Sequence, residues 1–434
     1  MLQPAWPGER LRRAGRRAMS ATGRRRLVVW GIVVAAALAG LVPFLRKEPS
    51  ELPVYVLGAQ RMLEGAEIYR TDDAKPFTYP PFFALPFVPL VGLSVRVQRA
   101  VWYAVNLAVL AVVLRLLAGH LLAGLAPRAR RWFWVLLGAL CVRHVLAVFE
   151  NQSHDMLVLW CTVAAAVAWA RGQQARAGTW AGLGVACKAT PALFAVPFTV
   201  QGSVRALAAA ALVGAGATLL PDLVLPRADG RLWVGAWVST MLAGVRPGAS
   251  ADLGGTWTAG SILNQSLAGT LYRLTTPVDA QAGSPWEVDG SVVALSAPAR
   301  RAVVLAGQLL VLAVVAWLAR RRRDPEATLP AIRFGQAAAV ACGMVLLSPM
   351  SSKSHFGVLL LPAGLALAIL LRGTRDRTLV ALLVAMFVLG TLTTKGIVGS
   401  RTGNRLLAYG CVTWTAVVGL AVAARAVAVA RRTG

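Results

Sequence analysis

Six polar clusters interrupt or border the apolar runs of this sequence: Glu51 with Tyr55, Tyr79 with Pro80 and Pro81, Asn151 with Gln152 and Asp155, Lys188 with Thr190 and Pro191, Asn264 with Gln265, and Ser348 with Ser351 and His355. Together they hold what moving a group onto a hydroxyl requires: a carboxylate to take the proton and cations to receive a departing anion. Glu51 precedes a short amphipathic stretch, Val54 to Leu63. There it can serve as a general base, or simply as an acid suited to the start of a helix. Lys188 lies inside an apolar segment and calls for an anion, either a lipid phosphate or a loop carboxylate. Asn151, Gln152 and Asp155 fit sugar-hydroxyl ligands or turn chemistry, while His154 between them reads as a turn residue. Tyr79-Pro80-Pro81 makes a rigid turn with an aromatic wall. His355 can donate to a phosphate or cap the following segment, and Asp72-Asp73 reads as a solvent-facing turn.

The elements that hold these clusters are membrane helices. The 434 residues are 57% hydrophobic, with a mean hydropathy of +0.62. Repeated apolar runs of near-spanning length make the chain an all-α polytopic membrane protein. The net charge of +27 collects as arginines in short loops, the pattern of cytoplasmic anchoring rather than of nucleic-acid binding. All five cysteines fall inside apolar runs and read as small core residues, neither disulfides nor metal ligands.

Residues 1–26 form a basic cytoplasmic tail, and 27–434 a single transmembrane domain. Ten full spans are expected, at 27–45, 97–117, 132–149, 156–170, 206–220, 303–318, 330–347, 357–371, 379–394 and 406–426. Tyr79 to Ser94 is too short and proline-rich to cross and reads as juxtamembrane or re-entrant. Gly182, Gly184, Lys188, Pro191 and Pro197 break 180–200 into a hairpin of half-helices that enters and leaves by one side. This arrangement puts a first loop, 46–96, and a second, 222–298, on the outer face. It keeps only Glu9, Asp324, Glu326 and Asp376 of the acids inside, although Arg300, Arg301, Arg401 and Arg405 stay outside against the trend.

No P-loop, GxSxG, HExxH or zinc spacing occurs, and no soluble nucleotide-binding domain. An activated group would therefore arrive through the membrane. The segments ELPVYVLGAQRMLEGAEIY, PFTYPPFFALPFVPL, FENQSHDMLVL, AGLGVACKATPALF, SILNQSLAGTLYRL and LLSPMSSKSHFGVLLLPA, in that order, give the chain a resemblance to glycosyltransferase family 87. Members are polyprenol-phosphate-mannose-dependent mannosyltransferases of the GT-C superfamily. The resemblance implies a GT-C-like scaffold and inverting transfer of a hexose from a lipid-phosphate donor to a lipid or glycan hydroxyl, with no cofactor and no bound metal assigned. It matches Glu51 to the family's loop-one acid, usually an aspartate in an Asp-Leu-x-Val-Tyr context. Lys188 matches a lysine before a small residue and proline. The family's Ser-Pro-x-Ser-Trp and paired histidines correspond to Ser348 through His355, with Lys353 placed to add a phosphate contact. Glu51 is thus the expected base. Tyr55, Tyr79, Asn151, Gln152, Asp155, Lys188, Asn264, Gln265, Ser348, Lys353 and His355 are the expected substrate contacts. A lipid or solute transporter and an inactive scaffold are the rival readings. No internal repeat of the inverted-transporter kind is visible.

Overall fold

The computed structural model describes residues 39–46, 51–242, 245, 247–249, 258–277, 288, 290–320 and 329–432. The basic tail and most of the first expected span lie outside these residues. The chain divides into two compact units, residues 1–48 and 49–434. In the first, 39–46 is helical.

The regular elements of the second unit's described residues are all helices, joined by turns and loops. Its α-helices run α1 Leu52–Leu63, α2 Val95–Leu121, α3 Pro127–Asn151, α4 Asp155–Ala170, α5 Gln174–Cys187, α6 Ala195–Val200, α7 Val204–Val224, α8 Trp233–Trp237, α9 Leu267–Leu274, α10 Ala297–Ala319, α11 Leu329–Leu347, α12 Leu360–Leu371, α13 Arg377–Phe387, α14 Lys395–Val398, α15 Ser400–Ala408 and α16 Cys411–Arg432. Seven helices among the described residues are long and apolar enough to cross a membrane: α2, α3, α7, α10, α11, α16, and α12 with its 3-10 entry Lys353–Leu359. The 156–170 and 379–394 spans appear as shorter apolar helices, Asp155–Ala170 and Arg377–Leu392. The expected ten full spans are therefore seven long helices, two short ones, and one lying mostly outside the described residues.

Proline sets two local departures from regular spanning helices. Pro81–Leu90 is a 3-10 helix of 10 residues with Pro86 and Pro89 inside it, and both lack the N–H that an α-helix needs. At about 2 Å per residue it reaches only about 20 Å, too short to cross. α5 ends as Lys188 turns extended at φ −161°, ψ 131°, and Pro191 then opens a 3-10 turn, Thr190–Phe194, leading into α6. Gly172, Gln174 and Gln201 line one cavity, so both limbs of this hairpin open at the same end, as the break predicts.

The windows of α11 and α12 are 78% and 83% buried, against 11% for α7, so the former pair is central and the latter peripheral. α7 is held by a close backbone approach to α5. A Cβ on Gly182 would stand 2.5 Å from the Ala210 carbonyl oxygen, and one on Gly178 would collide with that of Ala206. Small residues allow such contact where lipid gives no hydrophobic drive between helices. Gly182→Leu should separate the pair and destabilise the protein by about 1–3 kcal/mol. Thermal unfolding in detergent checks this; a midpoint equal to the parent's would refute the packing role.

Candidate active site

The carboxylate of Glu51 stands at the N-cap of α1 without making a capping bond. It faces the first loop instead. Lys75 Nζ donates to Oε1 at 2.6 Å, and the hydroxyls of Tyr55 and Tyr79 both donate to Oε2 at 3.2 Å. Tyr55 is fully buried, and its ring packs edge-on to those of Tyr79, Phe83 and His154. Burial first, then the neighbouring phenol and Glu51, push the Tyr55 hydroxyl well above its usual range. Burial and the Glu51 charge do the same for Tyr79. Both phenols stay protonated as donors through neutral pH. The loop that brings in Lys75 and Tyr79 is tied to α1 by a two-pronged pair, with Arg61 Nη2 2.9 Å from Asp73 Oδ1 and Nη1 on Oδ2. Asp73 is therefore no free turn acid.

Tyr55 links this carboxylate to a second cluster. Its hydroxyl lies 2.9 Å from His154 Nδ1, and the next residue, Asp155, opens α4. The buried Asp155 accepts from Lys188 Nζ at 3.0 Å and from the hydroxyls of Ser153 and Ser354 at 2.6 Å each. Lys188 Nζ also lies 2.8 Å from His355 Nε2. The Ser352 amide donates to His355 Nδ1 at 3.2 Å, which fixes Nε2 toward Lys188 and Asp155. The ring caps the 3-10 turn with Nδ1, as the capping reading of His355 expects, and Nε2 faces Lys188 Nζ and the Asp155 carboxylate. Lys188 leaves α5 where Pro191 ends the helix, so the break itself aims the ammonium.

Glu51, Lys75, Tyr79, Lys188, Ser348 and His355 line one cavity of about 410 Å³. Its apolar side comprises Trp237, Met241, Leu242 and Val245 of the second loop together with Pro349 and Met350. Trp237 Nε1 donates to the Thr78 carbonyl at 3.2 Å, fastening that wall to the first loop. Among the described residues no group of three His, Cys, Asp or Glu side chains converges as a metal site.

Other expected contacts are placed elsewhere. Asn264 and Gln265 are fully buried and off the cavity wall. Asn264 Oδ1 accepts the Ser266 and Ser351 amides, and Gln265 Nε2 donates to the Ile262 and Leu407 carbonyls. Asn264 Oδ1, with the Gln265 backbone N–H on the Ser351 carbonyl at 2.6 Å, braces the turn that carries Ser348. Asn151 ends α3, and Gln152 follows it in the left-handed region at φ 51°, with its carbonyl accepting the Trp102 indole at 2.9 Å. Gln152 thus shapes the turn and does not line the cavity. Lys353 is also off the wall, among Arg143, Glu150 and Lys395. At three residues per turn, positions two apart diverge by about 120°, so Lys353 and His355 cannot share a face. Asp155 sits behind Lys188 as its counter-ion. The sequence does not single out Lys75, Ser153 or Ser354, and His154, expected as a plain turn residue, also sets its ring against Tyr55. Only Lys75, a cation two residues after the Asp72-Asp73 pair and four residues before Tyr79, carried a signal that could have found it.

The fold and this cavity define a polytopic membrane protein with an acid and a lysine–histidine pair opening on one chamber. The model of glycosyltransferase family 87 matches residues 77–349. A relative from Mycobacterium tuberculosis, a polyprenol-phosphate-mannose-dependent alpha-(1-2)-phosphatidylinositol mannoside mannosyltransferase, is 30% identical over 78% of this chain and 74% of its own. A protein of the same name from Mycolicibacterium smegmatis is 27% identical over 57% of this chain and 56% of its own. No solved structure matches. The chain belongs to glycosyltransferase family 87, and it is a membrane glycosyltransferase.

The clasp that holds the Glu51 loop has a defined pH window. The Arg61 guanidinium, bonded to Asp73, holds that carboxyl below its usual 3.8. A depressed carboxyl pKa contributes stability above the unfolded value that is lost as pH falls through the folded one. Protease resistance of the loop is therefore expected to be constant from pH 7 to about 4 and to fall below it. Asp73→Asn should abolish the acid-dependent step, and a step of equal size in that variant would count against the clasp.

Proposed function

We propose that the chain transfers mannose from a polyprenyl-phosphate donor to the hydroxyl of a glycolipid or glycan on the outer face of the cytoplasmic membrane, with inversion at the anomeric carbon. The observation that carries this reading is the shared cavity, which has Glu51 on one part of its wall and Lys188 with His355 on another. The donor class comes from the names of the two mycobacterial relatives, and the lipid acceptor follows those names. Outward orientation is supported by the arginine-rich short loops and by the acids of the first loop.

Transfer requires the acceptor oxygen to bond to the anomeric carbon as the bond from that carbon to the donor phosphate breaks. The acceptor proton goes to Glu51, and the departing electron pair goes to the polyprenyl phosphate. Lys188 supplies positive charge and His355 Nε2 a hydrogen bond to the phosphate oxygens, while Asp155 keeps the lysine in place. The aromatic cluster around Tyr55 keeps water from the base and strengthens these interactions. Trp237, Met241 and Leu242 offer an apolar wall to the polyprenyl chain.

Membranes bearing the protein should transfer labelled mannose from polyprenyl-phosphate mannose to endogenous glycolipid. Glu51→Gln, nearly isosteric, should lower the rate by about 10²–10⁴, the range expected for a positioned general base. Lys75→Met should cost less than tenfold, since that cation braces the base without receiving the proton. Transfer retained within threefold in both Glu51→Gln and Glu51→Ala refutes the base assignment.

A further inference from the structure

A second polar cavity, of about 280 Å³, lies at the other end of the helices that frame the first. α4 runs from Asp155 at one cavity to Trp169 at the other, and α5 from Gln174 at one to Lys188 at the other. α11 runs from Leu329 in the second cavity toward Ser348 in the first. At 1.5 Å per residue the two chambers stand about 20–25 Å apart.

The lining of this second cavity is cationic. Arg333 brings its guanidinium against two other lining residues, Trp169 and Gly172, Arg320 lines the cavity beside it, and no carboxylate lines it among the described residues. No carboxylate of the described residues lies in ion-pair range of either arginine. Arg333 is placed over the Trp169 ring, its guanidinium carbon 5.7 Å from the centroid. Gly172, at φ +73°, makes room for it: a Cβ there would stand 3.1 Å from Arg333 Nη1. The floor is a closed amide network. Buried Gln336 accepts through Oε1 from Gln201 Nε2 at 2.8 Å and from the Trp169 indole at 3.3 Å, and its Nε2 donates to the Leu318 carbonyl at 3.0 Å. Polar groups so fixed at a helix-bundle end, beneath two arginines and beside a buried Ser203, make a preorganised anion seat.

We propose that this chamber binds a phosphate group, supplied by an anionic lipid headgroup of the leaflet opposite the Glu51 cavity or by free phosphate. Guanidinium forks match phosphate oxygens two at a time, which a chloride ion cannot exploit. Its volume equals that of roughly nine waters at about 30 Å³ each, ample for one headgroup.

The test uses the full chain in phosphatidylcholine nanodiscs with and without phosphatidylglycerol, and in detergent with inorganic phosphate against chloride at matched ionic strength. Thermal midpoint and lipid retained in native mass spectrometry are read together. Retention of phosphatidylglycerol should fall at least threefold in Arg333→Ala relative to Arg128→Ala, an exposed arginine outside the chamber. Arg320→Ala, also at an exposed position, should weaken it without disturbing folding, and Arg333→Lys should restore part of it. A shift with phosphate in detergent but no preference for phosphatidylglycerol assigns the seat to free phosphate. No anion-specific shift in either medium, or an undiminished one in both alanine variants, overturns the proposal.

Discussion

A buried carboxylate that must keep its cation governs how this site is built. Asp155 opens α4 almost sealed from solvent, with Lys188 at 3.0 Å and two serine hydroxyls at 2.6 Å. Removing one partner from such a pair leaves an uncompensated buried charge, at a cost of about 3–5 kcal/mol. The ammonium is therefore fixed by the protein before any ligand arrives. What the pair fixes is direction: α5 has to end at Lys188, Ser354 has to lie on the inner face of its 3-10 turn, and the 152–155 turn has to be tight. The left-handed Gln152, pinned by the Trp102 indole, is how the chain meets the last demand. That conformation costs a non-glycine residue about 1–2 kcal/mol, which the turn's other contacts have to offset.

From that turn the structure reaches the acid side in one residue. His154 meets Tyr55, and Tyr55 meets Glu51, so acid and cation belong to one connected network. The first loop closes over this network through bonds to α1 and to the second loop. Arg227, nearly buried, joins Glu67 of the first loop to Asp229 of the second, at 2.9 Å and 2.6 Å, and lies over the Trp233 ring. Paired charges of this kind at loop bases add little stability when exposed, but when desolvated they set geometry. The Trp237 bond to Thr78 repeats the same logic on the apolar side.

Spans, the broken hairpin and the convergence of Glu51, Lys188 and His355 on one cavity were legible because each rests on a one-dimensional signal. Apolar run length marks a helix, proline marks a break, and a charge in an apolar segment marks a cost. Facing direction was not legible. Asn264 and Gln265 look like ligands in sequence, yet they satisfy backbone groups at a turn. Lys353 and His355 are two residues apart and point into different environments, because a 3-10 turn separated them. Ser354, between them, gave no signal at all, and its role depends on a carboxylate about 200 residues away in the chain. Such partners arise from tertiary packing, which periodicity does not encode.

The two sides of the chamber differ in how they would admit a substrate. Lys188 and His355 stand side by side with side chains only 14% exposed, and each is anchored from behind by Asp155 or the Ser352 amide. Glu51 holds Lys75 on Oε1 and the two phenols on Oε2, which leaves Oε1 a lone pair for one further donor. Tyr55 is fully buried and shares its hydroxyl with His154, whereas Lys75 is 36% exposed on the loop. An exposed lysine pays little to exchange a carboxylate for water, since such pairs are worth about 0–1 kcal/mol. The Glu51 side is therefore the adaptable half, with an exposed ammonium as its partner, and the Lys188–His355 side is the rigid half.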